Sequence, residues 1–488
     1  MSRTDESKRT TLPNNSKRRL VSVLMLASAL FISSMVFGQV ASAAQKSGLN
    51  KQTHGLKKAI CPKELKSITR SKTCKSITKV SRQRIARADY SPAQPAAMNP
   101  SHEMSGTPEI VKPVPMTGNP QPSVSADSVL LLNSNSIQCK LPAQHTRGDV
   151  EIGFPRVSNR APSAGVIRAA MIFVDFNDSP ATISPGDVYS YFDSASALFN
   201  QMSYDKVTLQ ITPDLQWHRM SGTSASYGQS IRSGFAGLRS YMSEAVTLAS
   251  HSADFSNVDV VYVVSNPTAR SITGSFAFLP PSGSEITIGK SRISNGAVLG
   301  ANNIGIYAKT LVHETSHTMG LVDDYNAYYS ASNPSDAFRF TGDFGIMSTL
   351  YGTAPEYFAW ESWLMGWLDD SQINCLAPGN QTLTLNALET QGGVKMAEIP
   401  LSATKALIIE SRRPILADSN LSNSGVLIYT VDTSIASARG PIRIIGGTAS
   451  NHLTDALLSE GNQVTIGNVK IVVTSSTTTS DTINVQVG

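Results

Sequence analysis

"LVHETSHTMGLVDDY" occupies residues 311–325, and our prediction of the fold rests mainly on this stretch. Its two histidines, His313 and His317, stand four residues apart, so on a helix they share one face. Each could then direct a ring nitrogen at one metal ion, with Glu314 beside the first of them. An ordinary helix can carry the same five residues by chance, so the assignment depends on the neighbouring residues as well.

The residues after the two histidines favour a zinc site. Gly320 is placed to end the helix, because glycine adopts positive φ at little cost. Asp323 follows His313 by ten residues and His317 by six, which is the HExxHxxGxx spacing that precedes a third ligand. Aspartate is an accepted zinc ligand. Asp324 comes one residue late, and we expect it to serve as a cap, a hydrogen-bond partner or a calcium contact instead.

This ligand set predicts hydrolytic chemistry. His313, His317 and Asp323 would hold Zn²⁺ and leave a position open for water, whose pKa falls toward about 7 on the metal. Glu314 would take the proton of that water as it attacks a carbonyl group. The same layout requires a methionine turn under the site, and Met347, within the glycine-flanked "DFGIMSTLYG", lies at a suitable distance along the chain.

A rival layout would take the third ligand from a second helix. The stretch "PEYFAWESWLMGWL" (355–368) is helical in pattern and supplies Glu356 and Glu361. It leaves Gly320 and Asp323 without a role, so we favour the first layout. The tryptophans of this stretch are expected in the core rather than as a platform for substrate.

The chain before the motif predicts an α+β fold with a mixed, twisted sheet and an active-site helix. The apolar runs "VIRAAMIFVDF" (166–176) and "VDVVYVV" (258–264) are typical of buried strands, and "KVTLQI" (206–211) alternates as a strand does. We expect "EITIGK" (285–290) and the segment after it to be edge strands.

Helices and a second domain complete the predicted architecture. Helical patterns cover residues 187–202, after a start signal at Ser184, and residues 229–250. The catalytic domain is predicted over residues 148–377. From residue 378 to 488, short alternating runs separated by Asn, Gly and Ser predict an all-β sandwich.

The front of the chain differs in composition. Residues 1–44 predict a signal peptide, with a basic flank, an apolar stretch and a small-residue cleavage site at 41–43, although an uncleaved anchor is the alternative. Residues 45–90 carry 13 Lys/Arg against 2 Asp/Glu, and residues 91–128 are rich in Pro, Ser and Gly. We interpret residues 45–147 as a basic pro-region and linker, largely disordered. A basic run can also bind polyanions, cell wall or membrane, but a removable solvated segment is the simpler interpretation.

Four cysteines make an even set, which predicts disulfides in an exported chain. We expect the pairs Cys61–Cys74 and Cys139–Cys375, and the second pair would join the start of the catalytic domain to its end. A metal-blocking role for Cys61 or Cys74 is the less favoured alternative. None of the four has the CxxC spacing of a metal site.

Several stretches together resemble the immune inhibitor A family of secreted bacterial metallopeptidases. They are "MIFVDFND" (171–178), "SYDKVTLQITPDLQW" (203–217), "HETSHTMGLVDDY" (313–325), "GIMS" (345–348), "WLMGWL" (363–368), "IIESRR" (408–413) and "GVLIYTVD" (425–432). The resemblance implies a secreted zinc endopeptidase of the metzincin type, made with a pro-region. It implies zinc on His313, His317 and Asp323, with Glu314 as base. Calcium is common in such enzymes and is implied here without assigned residues.

One departure from related metzincins concerns the group that stabilises the oxyanion. Those enzymes carry a tyrosine two residues after the turn methionine. This chain has Thr349 there and Tyr351 two residues further on. The sequence therefore leaves the oxyanion-stabilising residue unassigned.

These observations together predict a zinc metalloendopeptidase, secreted as a zymogen and either free outside the cell or associated with its surface. Its partners would be protein or peptide substrates. Residues 45–90 carry a charge of +11 and residues 1–19 a charge of +4, so with a net charge of +5 residues 91–488 carry −10. Because the body of the protein is acidic, we expect no nucleic-acid partner. We also expect a monomer with no stable membrane anchor once the signal is removed. The alternative is a secreted binding protein whose metal site is vestigial, against which the intact ligands and base argue.

Overall fold

A computed structural model describes residues 139–144 and 149–488 of the chain. The predicted signal peptide, most of the predicted pro-region and linker, and the predicted Cys61–Cys74 pair lie outside the described residues. Among the helices of the described ranges, none combines the length and the apolar character that crossing a membrane demands.

The described chain combines several sheets with few helices, which agrees with the predicted α+β class. The α-helices are α1 Pro185–Tyr189, α2 Ala195–Met202, α3 Ser224–Arg232, α4 Phe235–Ala249, α5 Tyr307–Met319 and α6 Ala359–Leu364. The first strands are β1 Gly165–Asp175, β2 Val207–Arg219, β3 Val260–Ser265, β4 Phe276–Phe278, β5 Ile286–Ile288, β6 Ser291–Ile293 and β7 Gly296–Leu299. The later strands are β8 Ile373–Cys375, β9 Gly379–Asn386, β10 Met396–Pro400, β11 Lys405–Arg412, β12 Gly425–Asp432, β13 Ile442–Ile444, β14 Gln463–Ile466, β15 Val469–Ser476 and β16 Ser480–Val487.

A mixed five-stranded sheet forms the first layer, in the order β2-β1-β3-β7-β4. The β1–β2, β1–β3 and β3–β7 pairs are parallel, and β4 runs antiparallel to β7 at the edge. Strands do form over 285–290 and beyond, as predicted, but the first two do not lie at the edge of this sheet. β5 and β6 turn back on each other at Gly289 and form a separate hairpin, whereas β7 is fully buried and lies inside the sheet.

β1 is apolar along its length because each of its faces packs on a different layer. Ile167 and Met171 belong to the core shared with α1, α2 and α5, while Ala170 and Ile172 belong to the core shared with α3 and α4. Successive side chains of a strand point to opposite faces. A continuous apolar run is therefore what a strand between two helical layers requires.

The helices before the site are shorter than the sequence predicts. Ser184 caps α1 as expected, because its hydroxyl accepts the N–H of Asp187 at 3.1 Å. The predicted stretch 187–202 is divided between α1 and α2 by a 3₁₀ turn, Ser190–Phe192. The predicted stretch 229–250 is interrupted at Gly234, whose φ of 125° no helix accommodates.

The C-terminal region is built from two sheets that share an apolar core. One has the order β13-β12-β11-β10-β8 and the other the order β14-β15-β16-β9. Leu407 and Ile409 of β11 pack in the core between these sheets, as do Ile471 and Ile483. Two β-sheets face to face over one core are the layering of a β-sandwich.

The other face of the first sandwich sheet packs against the region around α6. Ile408 of β11 and Tyr429 of β12 share a core with Phe358 and Trp360. The predicted boundary at residues 377/378 thus falls within a continuous core. Cys139 and Cys375 form a disulfide beside this core, with 6.2 Å between their Cα atoms, which is the pairing that the sequence predicts.

Candidate metal centre

α5 carries the predicted motif and is buried on nearly every side. Its polar side chains therefore need internal partners. The Thr315 hydroxyl donates to the carbonyl of Leu311 at 2.6 Å, and its oxygen lies 2.6 Å from the hydroxyl of Tyr262 in β3. The Ser316 hydroxyl contacts that of Tyr357 at 2.5 Å. These bonds fix the rotation of α5 about its axis and so fix the direction in which its histidines point.

Gly320 ends α5 and turns the chain back, as predicted. Its φ is 107°, and its N–H donates to the carbonyl of His317 at 2.9 Å. The last carbonyls of the helix are capped from the preceding segment, where Arg156 Nη1 donates to Met319 at 2.7 Å and the N–H of Glu151 donates to Gly320 at 2.9 Å. The returning chain brings Asp323 back to the two histidines.

Three side-chain atoms converge after this turn. His313 Nε2 and His317 Nε2 lie 3.2 Å apart, and Asp323 Oδ1 lies 3.2 Å from the first and 3.1 Å from the second. Ligands about 2.0–2.1 Å from a tetrahedral zinc ion would lie roughly 3.3 Å from one another. The observed triangle is close to that size. In the part of the chain that the structure describes, it is the one grouping of three or more His, Cys, Asp or Glu side chains that could hold a metal ion.

Hydrogen bonds on the far side of each imidazole decide which nitrogen faces the triangle. His313 Nδ1 lies 2.9 Å from the carbonyl oxygen of Ile346, and His317 Nδ1 lies 2.8 Å from that of Leu321. A carbonyl can only accept, so each Nδ1 carries the proton and each Nε2 is left to bind a cation. Two nitrogen lone pairs and a carboxylate oxygen then face one another, and a cation between them removes the repulsion.

The pKa values indicate that positive charge is favoured at this point. Burial alone would lower the pKa of His317, but the neighbouring Asp323 carboxylate outweighs burial and raises it to about 9. Burial alone would raise the pKa of Asp323, but the two histidines hold it well below its usual range. A divalent cation would take the place of the proton that these groups hold.

Glu314 lies next to the triangle on the same helix and is buried. Burial raises the pKa of its carboxyl group; the two histidines oppose the increase and Asp323 adds to it. The main-chain N–H of Ala277, in the edge strand β4, lies near the carboxylate and also opposes the increase in its pKa. A carboxyl group with a raised pKa beside a cation site has the properties of a general base.

The predicted methionine turn lies at the site. Met347 is buried in the same core as Leu311 and Met319 of α5, and its carbonyl accepts the N–H of Asp324 at 3.0 Å. The preceding carbonyl, that of Ile346, is the one that orients His313. The turn therefore touches both α5 and the returning chain.

Asp324 points away from the triangle, as the residue count predicts. It is fully buried and bonds to the carboxyl group of Glu361. Among the described residues no N–H or O–H group donates to either oxygen of Asp324, so the bond needs a proton on one of the two carboxyls. Burial and the charge of Glu361 raise the pKa of Asp324 well above its usual range, and burial raises that of Glu361 to about 8. Two buried carboxyl groups with raised pKa values side by side favour a neutral form of one of them.

The rival ligands do not join the triangle. Glu361 caps α6 by accepting the N–H of Phe358 at 3.0 Å and pairs with Asp324. Glu356 is also buried, and the raised pKa of its carboxyl group reflects burial first and then the charge of Asp418. The tryptophans of this stretch are in the core, with exposed fractions of 0% for Trp360, 3% for Trp363 and 1% for Trp367.

Some groups at the site have no signal in the sequence. The carbonyls of Ile346 and Leu321 act through the main chain, which any residue supplies. Ser437 and Ala438 bond to the main chain of Asp323 from more than a hundred residues downstream. Residues that lie too far along the chain to belong to a local motif therefore also help to shape the centre.

The sequence assigns no oxyanion-stabilising residue, and the two residues near the tyrosine position of related metzincins differ in their exposure. Thr349 is buried and its hydroxyl oxygen accepts the N–H of Tyr351 at 3.3 Å, while Tyr351 is 61% exposed. Tyr325 lies nearer to the charges of the centre. Its pKa is raised well above the usual range, by burial first and then by Asp323 and Glu314. Its hydroxyl group therefore stays protonated. The feature of the sequence that could have pointed to Tyr325 is its place directly after the two aspartates of the motif.

Comparisons with known proteins do not identify the chain. A scan against protein-family models finds no match. A search of curated proteins finds no relative either.

Proposed function

We propose that this protein is a zinc-dependent endopeptidase of the metzincin type, related to the immune inhibitor A family. The observation that carries the proposal is the convergence of His313, His317 and Asp323, with the buried Glu314 beside them. Zinc is the proposed metal because two imidazoles, a carboxylate and near-tetrahedral spacing suit it. The proposal includes secretion with a removable basic pro-region.

Each residue of the centre has a definite part in the proposed reaction. A zinc ion held there would supply a Lewis acid and lower the pKa of a bound water. Glu314 removes a proton from the attacking water, holds it and delivers it to the departing amine. Its raised pKa suits both steps, because the proton must be accepted and then released near neutral pH.

The edge strand β4 supports a peptide as the substrate. β4 is the last strand of its sheet, paired with β7 on one side. An extended peptide can add to such an edge through main-chain hydrogen bonds. Because Ala277 of β4 contacts Glu314, a peptide on that edge would run past the base. Recognition through the main chain favours cleavage within a chain rather than at its end.

A measurement of metal content together with cleavage tests the proposal. The mature protein should bind about one zinc per chain and cleave casein or a fluorogenic peptide library. Glu314→Gln should keep its zinc and lose activity by about 10²- to 10⁴-fold, because only the proton carrier is removed. Glu460→Gln makes the same chemical change at an exposed site and should retain full activity. A fully active Glu314→Gln would refute the mechanism.

The same experiment distinguishes the proposed peptidase from the alternative, a secreted binding protein. A wild-type protein that binds zinc in the predicted ratio but cleaves nothing across a broad peptide library would favour a binding protein with a vestigial centre.

A further inference from the structure

The loop between β12 and β13 reaches the third metal-ligating residue. We call residues 433–441 the clamp loop. The main-chain N–H of Asp323 donates to Ser437 Oγ at 2.9 Å, and the carbonyl of Asp323 accepts the N–H of Ala438 at 2.8 Å. Both main-chain polar groups of Asp323 therefore bond to the clamp loop, while its side chain faces the histidines.

Contacts continue along the chain after Asp323. Ala327 donates its N–H to the carbonyl of Ala438 at 3.1 Å, and Asn326 forms an antiparallel bridge with Arg439. The guanidinium group of Arg439 lies 3.9 Å from the ring centre of Tyr328 and donates to its hydroxyl at 2.8 Å. The clamp loop and the chain that carries the ligand thus form a short, two-stranded contact.

The clamp loop is itself fixed to the sandwich. The N–H of Thr433 donates to the carbonyl of Thr404 at 2.8 Å, and Arg443 donates to the carbonyl of Gly440 at 2.9 Å. Ala438 has a φ of 62°, in the left-handed region that alanine rarely adopts. Such a conformation persists only where its surroundings impose it. Here it directs the N–H of Ala438 at Asp323.

The three ligands are consequently oriented from two parts of the protein. His313 is oriented by the carbonyl of Ile346, 33 residues further on, and His317 by the carbonyl of Leu321, four residues further on, both before the sandwich. Asp323 is oriented by a loop that follows strand β12 of the sandwich. The clamp loop is only partly buried from Ile435 to Ala438, so packing alone does not explain its position.

We propose that Ser437 and Ala438 are positioning residues of the metal centre, and that the sandwich region takes part in metal binding through them. The inference rests on the proposed zinc site but not on its catalytic activity. Without the Ser437 hydroxyl, the N–H of Asp323 loses its acceptor and the carboxylate is less firmly held toward His313 and His317. Partners of this kind alter metal affinity by about 10- to 100-fold when removed.

Zinc titration of the full-length protein and its variants tests this. In competition with a chromogenic chelator, the zinc dissociation constant of Ser437→Ala should be higher than that of wild type by about 10-fold or more. The variant should also release zinc faster. Ser437→Thr keeps the hydroxyl oxygen and should stay within about threefold of wild type. Ser434→Ala is the matched control, because Ser434 lies in the same loop and its hydroxyl bonds to Asp432, the last residue of β12, and not to Asp323.

The thermal stability of the metal-free proteins shows whether a loss of zinc affinity comes from the position of Asp323 or from a general loss of stability. The thermal midpoints of metal-free Ser437→Ala and Ser434→Ala should lie within a few degrees of each other, since each loses one hydroxyl group of the same loop that is not buried. Wild-type zinc affinity in Ser437→Ala would overturn the inference, and so would an equal loss in Ser434→Ala. If the wild-type protein binds zinc and cleaves no peptide, the proposed function fails while a weakened Ser437→Ala still supports the clamp. If the wild-type protein cleaves peptides and Ser437→Ala binds zinc normally, the clamp fails and the function stands.

Discussion

Replacing Asp323 by asparagine should remove tight zinc binding and leave the fold intact. The substitution keeps the size of the side chain but removes the charge that faces His313 and His317 at 3.2 and 3.1 Å. Zinc bound to four protein ligands gains about 10–16 kcal/mol, so a single ligand contributes roughly 3 kcal/mol. At about 1.4 kcal/mol for each factor of ten, the dissociation constant should rise by roughly 100-fold or more.

Asp324→Asn is the matched control, one residue away. The Asp324 carboxyl is buried beside that of Glu361 and its pKa is raised well above the usual range, so it does not contribute a charge to the triangle. Asparagine can donate its amide N–H to Glu361 and preserve that contact. The zinc dissociation constant of this variant should remain within about threefold of wild type, since no metal ligand is lost.

Competition with a chromogenic chelator gives the dissociation constants, and far-ultraviolet circular dichroism of the metal-free proteins verifies that both variants fold. Tight binding by Asp323→Asn together with loss of zinc from Asp324→Asn would refute the spacing argument. The ligand would then be the later aspartate, and the chain after Gly320 would take another path.

Two further predictions concern catalysis and pH. Tyr325→Phe should lower kcat by roughly 100-fold with little change in KM in steady-state assays, because a neutral hydroxyl near the developing charge is lost; a larger effect of Tyr351→Phe would contradict this. Burial raises the pKa of Glu389 from 4.5 to about 8, so the folded state binds more protons than the unfolded state between these values. The free energy of unfolding should therefore fall as pH rises through this window, and Glu389→Gln should reduce the slope. Urea unfolding of the metal-free protein at pH 5 and pH 8 measures the slope, and an unchanged slope in the variant would contradict the assignment.

The parts of the site that the sequence predicts are those encoded within a few residues of one another. His313 and His317 share a helix face by spacing alone, and Gly320 ends the helix because of its own conformational freedom. Asp323 then comes at a fixed count. The strand β1 was equally predictable, because burial on both faces leaves a continuous apolar run.

Pairing between distant segments was not predictable in the same way. The run at 285–290 has the alternation of a strand, but alternation does not say which strand is its partner, and β5 pairs with the adjacent β6 instead of joining the main sheet. The helical pattern over 229–250 does not reveal that Gly234 separates two helices. Main-chain partners such as the carbonyl of Ile346 cannot be predicted from residue type at all.

The change of composition near residue 378 suggests two independent domains, yet charge burial argues that the two regions depend on each other. Arg412 of β11 is fully buried and bonds to Glu410 at 2.7 Å and to Asp418 at 2.8 Å. It also donates to the carbonyls of Glu356 and Tyr357, on the other side of the predicted boundary, at 3.3 and 3.0 Å. A buried charge is tolerated only while all its partners are present, and loss of one typically costs about 3–5 kcal/mol. Because Tyr357 also contacts Ser316 on α5, Arg412 is linked through one residue to the helix that carries the histidines. The sandwich therefore supports the centre from beneath α5 as well as through the clamp loop at Asp323.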